Sequence, residues 1–208
     1  MRSIHTGSHF AALVSAGRNL FRNLSHGGLR PQDLAKSWHR ARDAWLAQHG
    51  IDPQKNWKHR FELLPAAERQ EFNAKFTRVF MEYLDQGHGE CLLRLPEVAK
   101  LVAESLHHFD DDRYALGDYV IMPNHVHLLV CLRGSTEIEA QCHSWKKFSA
   151  TQINRLVGDR GRFWQEESFD HLVRSPEQFD YLRRYIAENP SKAKLSSGQC
   201  LHWVRPES

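Results

Sequence analysis

At 208 residues the chain has single-domain length, enough to bury a core without disulfides or a structural metal. Its 28 Lys and Arg stand against 25 Asp and Glu, and the net charge of +3 permits nucleic-acid binding without announcing it. Cys91, Cys131, Cys142 and Cys200 form no C-x-x-C pair, which argues against a zinc ribbon, and no apolar run is long enough to span a bilayer. The expectation is a cytoplasmic protein with reduced thiols and no membrane partner.

Residues 1–30 carry scattered Gly, Ser, His and Asn with no sustained period and read as a loosely structured or rearranged segment. The apolar run Phe10-Ala-Ala-Leu-Val-Ser-Ala16 has the character of a very short signal-peptide core, but Ser8 and His9 before it and Arg18 after it weigh against secretion. From Pro31, Leu34, Trp38, Ala41 and Trp45 recur at helical spacing up to Gly50 and Pro53. Pro65 opens a second helix with Phe72, Phe76, Val79, Phe80 and Tyr83 as its apolar stripe, closed by Gly87 and Gly89. A third runs from Pro96 to about His108, with Val98, Leu101, Val102 and Leu106 inward.

The pattern then changes period. Tyr114 to Met122 and His125 to Leu132 are β-type runs joined by Pro123-Asn124, the chemistry of a turn in an antiparallel hairpin. A long helix follows from about Thr136 to Leu156. Short extended pieces are expected at Phe163-Trp164 and Asp170 to Val173. The last helix begins at Pro176 and is expected to stop near Asn189, because Pro190 disfavours the helical state in the residue before it. Helices flanking a small antiparallel sheet make an α+β domain over residues 31–195, with extra helices at its start and residues 196–208 as a tail.

Two local patterns carry chemistry. In His125-Val126-His127 the two imidazoles fall on one face of a strand together with Leu129, while Val126, Leu128 and Val130 make the opposite face apolar. Two imidazoles on a rigid strand are a ready pair of metal ligands, although an isolated H-x-H is more often structural. In the last helix Tyr185 and Asn189 stand at i and i+4 on the flank of the stripe Phe179, Leu182, Ile186. The bland alternative is a tyrosine at the core rim and an asparagine at a helix stop, and Tyr181 competes one turn earlier.

The two patterns sit within a longer set of blocks. Tyr119-Val-Ile-Met-Pro-Asn-His-Val-His-Leu-Leu-Val130, Trp145-Lys-Lys, Phe163-Trp-Gln, Phe169-Asp-His-Leu-Val-Arg174 and Tyr185-Ile-Ala-Glu-Asn-Pro190 follow in one order. In these blocks, and upstream in Gly87-His-Gly-Glu-Cys-Leu-Leu-Arg94 and His107-His-Phe-Asp110, the chain resembles the REP-associated tyrosine transposases, a branch of the HUH single-tyrosine transposases, from about residue 31 to 195. The resemblance implies an antiparallel sheet of ferredoxin-like topology flanked by helices. It implies His125 and His127 as metal ligands, Tyr185 as nucleophile and Asn189 as third ligand, with Mg²⁺ or Mn²⁺ as cofactor. The activity implied is cutting and rejoining single-stranded DNA, commonly beside a hairpin, through a 5′-phosphotyrosine link, by a monomer or homodimer.

Lys146, Lys147, Arg174 and Arg184 are the expected phosphate contacts, with Arg183, Lys192 and Lys194 nearby, and Trp164 is a candidate for stacking on an unpaired base. One departure stands out. Members of the family begin with an apolar strand beside the HUH strand, whereas residues from about His9 to Arg22 do not alternate, so that strand is expected to be missing or poorly formed. The intact motifs favour an active enzyme, and the altered start favours an inactive descendant that only binds hairpin DNA. A metal-binding module unrelated to DNA is a third reading.

Overall fold

The computed structural model describes residues 12–17, 31–55, 57–77, 91–164, 168–173 and 175–206. Where one domain over residues 31–195 is expected, the described residues pack as two compact units, one within Leu20–His88 and one formed by Met1–Asn19 with Gly89–Ser208.

The helical unit contains α1 (Pro31–Gln48), α2 (Trp57–Glu62) and α3 (Ala66–Phe72), the last continued by a π-helical turn over Asn73–Thr77. Its core is aromatic: Trp45, Leu46, Ile51, Phe61, Phe72 and Phe76, with Trp38 and Trp57 packed against it. The indole N–H groups find acceptors, Trp38 on the Phe76 carbonyl at 3.1 Å and Trp45 on Glu71 at 3.1 Å, as buried indoles require. Val79, Phe80, Tyr83 and the Gly87–Gly89 stop lie outside the described residues.

The second unit is built on a five-stranded antiparallel sheet of strands β1 (Ala12–Gly17), β2 (Tyr114–Ile121), β3 (His125–Leu132), β4 (Phe169–Leu172) and β5 (Leu201–Trp203), in the order β4-β1-β3-β2-β5. The first four strands have the ferredoxin-like order, and β5 extends it beside β2. Helices α4 (Pro96–His107), α5 (Ile138–Val157) and α6 (Pro176–Lys192) complete the unit.

The alternation of β3 divides the packing as its sequence predicts. Val126, Leu128 and Val130 join one core with Val102 and Leu106 of α4 and Cys142, Trp145 and Ile153 of α5. Leu129 joins a second core with Val120, Met122 and the α6 residues Leu182 and Ile186. The sheet therefore carries α4 and α5 on one face and α6 on the other.

Three expectations need correction. The strand thought missing is present: β1 pairs with β3 from Ala12↔Val130 to Gly17↔His125, and with β4 on its other side. β1 lies between β3 and β4 with both edges paired, and its non-alternating run Ala-Leu-Val-Ser-Ala-Gly gives no local sign of that pairing. Residues 196–208 are more than a tail, because they supply β5 and then Arg205, which binds Asp110 and Asp111. Finally, α6 does not stop at Asn189. It passes through Pro190 to Lys192, with Ala193 N–H on the Asn189 carbonyl at 3.0 Å and Leu195 N–H on that of Pro190 at 3.0 Å. Proline removes one helical donor close to the helix end, and the apolar burial of Leu182 and Ile186 outweighs the bias it places on the residue before it.

Candidate functional site

The hairpin turn fixes the first half of the site. Leu93 N–H donates to the Pro123 carbonyl at 3.1 Å, and Met122 N–H to that of His125 at 2.8 Å, so the Pro123-Asn124 turn is held from two sides. Asn124 is buried and its Oδ1 lies 2.8 Å from His125 Nδ1. Oδ1 can only accept, so this contact assigns the proton to Nδ1 and turns the Nε2 lone pair toward the site. His125 Nε2 and His127 Nε2 are 2.9 Å apart, and both imidazoles are 0% exposed. In the ladder, the small residues Gly17 and Ser15 stand opposite His125 and His127.

Helix α6 supplies the second half. Its N-terminus is capped by Ser175, whose Oγ accepts from Gln178 N–H at 3.2 Å. The Tyr185 ring meets that of His127 edge-on, with centroids 5.2 Å apart, and the Lys192 ammonium lies 5.6 Å from the Tyr185 ring centre. Tyr181, the competing tyrosine, is 59% exposed. One turn beyond Tyr185, Asn189 lies in the buried stripe of α6 at 1% exposure, rather than at an exposed terminus as its sequence position implies. Among the described residues neither Oδ1 nor Nδ2 of Asn189 has a hydrogen-bond partner. On the other face of the sheet the polar handles of the aromatic core do find partners: Trp145 Nε1 donates to Tyr114 Oη at 2.9 Å, Tyr114 Oη to the Leu106 carbonyl at 2.6 Å, and Trp164 Nε1 to Ser149 Oγ at 2.8 Å. An orphaned buried amide costs on the order of 1–3 kcal/mol, and Gln141 Nε2 on α5 is another buried polar atom without a partner among the described residues.

The remaining sequence candidates separate. Trp164 is no stacking platform here; it is buried in the core under α5, which accounts for an indole beside Phe163. Lys146 and exposed Lys147 ride on α5, across the sheet from the imidazoles, and Lys146 lines a cavity of about 30 Å³ with Val126, Leu128 and Trp145. Arg184 is exposed on α6 beside Tyr185, while Arg174 lies outside the described residues. Arg183, expected at a phosphate, binds Asp118 instead, Nε to Oδ2 at 2.7 Å. Asn124 and Asp118 are the two residues that sequence reading passes over. Asn124 looks like turn chemistry alone, and Asp118 sits in a β-bulge that no local pattern reveals.

Among the described residues no group of three or more His, Cys, Asp or Glu is placed to hold a metal; the set here is two imidazoles and an amide. With the His125 proton on Nδ1, the 2.9 Å contact between the rings is a hydrogen bond donated by His127 Nε2–H, so a cation would have to displace that proton to gain the second nitrogen. Two imidazole nitrogens and an amide oxygen are a donor set that borderline cations accept and Mg²⁺ tolerates less readily.

The fold and site together define an α+β protein in which a paired-imidazole strand lies beneath a helix bearing a tyrosine and a buried asparagine. The model of the IS200-like transposase family matches residues 93–189, a stretch that runs from the turn before α4 to Asn189 and contains all four site residues, and over it the chain resembles that family. Among solved structures, one of a REP-associated tyrosine transposase bound to a REP hairpin is similar at 21% identity and a TM-score of 0.40, over 47% of this chain. The match spans 58% of that structure's chain. Among curated proteins no sequence match is found. No helix among the described residues is long and apolar enough to cross a membrane.

Proposed function

We propose that this protein cleaves and rejoins single-stranded DNA beside a hairpin, with Tyr185 as nucleophile and a divalent metal held by His125, His127 and Asn189. The observation that carries this reading is the meeting of Tyr185 with His127, within the matched stretch and one turn from a buried amide that has no partner.

The residues fit a divalent cation. His125, oriented by Asn124, and His127 would offer Nε2, and Asn189 would offer Oδ1. A bound Mg²⁺ or Mn²⁺ would supply positive charge that polarises the scissile phosphate and favours the phenolate. Tyr185 Oη attacks phosphorus, the bond to the 3′ oxygen breaks, and the departing oxygen leaves as a 3′-hydroxyl after taking up a proton. The 5′-phosphotyrosine link keeps the bond energy, so an incoming 3′-hydroxyl can reverse the step and rejoin strands. A tyrosine hydroxyl has a pKa of about 10 and needs cationic surroundings to act near neutrality, which the bound cation would supply. Lys192, 5.6 Å from the ring centre, is itself paired with Glu188 at 2.9 Å. Arg184 on α6 would take phosphates beside the nucleophile. Lys146 and Lys147 lie across the sheet, so any phosphate contact they make belongs to a more distant part of the DNA.

The rival reading, an inactive descendant that only binds hairpins, drew its support from an absent strand, and β1 removes that support. The test is to mix the protein with labelled hairpin oligonucleotides and Mn²⁺ and look for a denaturation-resistant protein–DNA adduct. The adduct is expected with the native chain and with Tyr181→Phe, and absent with Tyr185→Phe. Tight hairpin binding with no adduct under any metal would reverse the choice between the two readings.

A further inference from the structure

β2 does not run straight past the site. Leu116 pairs with Val130 and Tyr119 with Leu128, so Gly117 and Asp118 together oppose Leu129 in a β-bulge. The bulge is tight: a Cβ on Gly117 would stand 2.9 Å from Leu129 Cβ and 3.1 Å from its carbonyl oxygen. What the bulge accomplishes is to re-aim one carboxylate. Asp118 is 6% exposed, and each of its oxygens has a separate task. Oδ2 accepts from Arg183 Nε of α6 at 2.7 Å, and Oδ1 accepts from the backbone N–H of Arg205, just past β5, at 3.0 Å.

Arg183 lies two residues before Tyr185, in the same helical turn. The apolar burial of Leu182 and Ile186 holds α6 against the sheet through a non-directional driving force. A short charge-assisted bond from the bulge adds a directional one. We propose that Asp118 is a positioning residue for the reaction: acting through Arg183, it sets where α6 presents Tyr185 and Asn189 to the imidazole pair, and through Arg205 N–H it ties that setting to the strand that follows α6. This rests on the reading of Tyr185 as nucleophile. It assigns Asp118 no contact with DNA or metal.

The experiment uses the full chain with Asp118→Asn, Arg183→Gln and the double variant. Asparagine has one acceptor oxygen and no charge, so it cannot serve Arg183 and Arg205 N–H together and the charge-assisted bond is lost either way. At saturating hairpin DNA and Mn²⁺, the rate of adduct formation is expected to fall roughly a hundredfold in each single variant, since a misplacement of about an ångström costs that much. Hairpin affinity is expected to stay within about threefold, and the double variant to be no slower than the slower single one, because both remove one link. Hydrogen exchange without DNA or metal is expected to quicken over residues 176–192 and not over 96–107. Single variants at the native rate, or rate and affinity falling together in both, would overturn the proposal. If the native chain forms no adduct, the nucleophile reading fails on its own, and the exchange arm then decides: faster exchange confined to α6 keeps Asp118 as its anchor, and unchanged exchange removes it.

Discussion

The orphaned amide of Asn189 makes a prediction in which stability and ligand binding move in opposite directions. Replacing Asn189 by alanine removes two buried polar atoms that no described group satisfies. The relief is on the order of 1–3 kcal/mol, with roughly 0.5 kcal/mol more from the better helix propensity of alanine. Against it stands the small cavity left by the amide, on the order of 1 kcal/mol. The balance favours the variant by about 0.5–2.5 kcal/mol, which for a chain of this size raises the melting temperature by roughly 1–10 °C in the absence of metal.

Metal reverses the order. At a Mn²⁺ concentration about a hundredfold above its dissociation constant the native protein gains about 2.7 kcal/mol, whereas a site that has lost a ligand gains far less at the same concentration. Thermal melts of both proteins, with chelator and with Mn²⁺, should therefore cross: Asn189→Ala melts higher in chelator and lower in Mn²⁺. Two results would refute the reasoning, each at a different step. A variant that is less stable in chelator shows that the amide does have a partner. Equal Mn²⁺ shifts in the two proteins show that the amide is no ligand, whatever its burial.

Other perturbations follow from the same geometry. Asn124→Ala leaves the buried His125 Nδ1 without its acceptor, so it should cost roughly 1–3 kcal/mol in chelator and weaken Mn²⁺ binding by about tenfold or more in calorimetry; native affinity would show that the contact at 2.8 Å does not set the ring. Gly117→Ala forces its new methyl into Leu129 and should destabilise by roughly 1–3 kcal/mol in a denaturant titration, and a neutral result would mean that the bulge relaxes freely. Trp164→Ala should cost about 3–5 kcal/mol as a core deletion, with loss of hairpin binding only where the protein has melted. Burial pushes the Tyr119 hydroxyl up to about 12, so its contribution to stability is complete below the unfolded value of about 10 and is lost as pH rises through that window. Tyr119→Phe should flatten that alkaline decline, and an identical decline in both proteins would place its origin elsewhere.

What the sequence disclosed and what it hid follow from whether a constraint is local. His125-Val-His127 was legible because strand parity alone puts both imidazoles on the face of Leu129, and the cores on the two sides of β3 divide along that parity. Tyr185 and Asn189 were legible as a pair because helical spacing alone stacks them. β1 was not, since its non-alternating run makes sense only once both of its neighbouring strands exist. Arg183 illustrates the same limit in electrostatics. A basic residue beside the nucleophile reads as a phosphate contact until a carboxylate 65 positions away in sequence is brought within 2.7 Å of it.

Asn189 joins the two kinds of information. Read locally it is a helix stop before proline, an outcome that would leave its amide in water and cheap to keep. The fold instead carries α6 through Pro190 and buries the amide with neither of its polar atoms satisfied, a state that packing alone would select against. Local preference and tertiary stability thus both disfavour what is observed, and positions where both are overridden are where a binding role best accounts for the residue. That residue lies one helical turn from a tyrosine seated on an imidazole whose own Nε2 is 2.9 Å from a second one. The departure from expectation falls at the place where the proposed reaction requires a ligand.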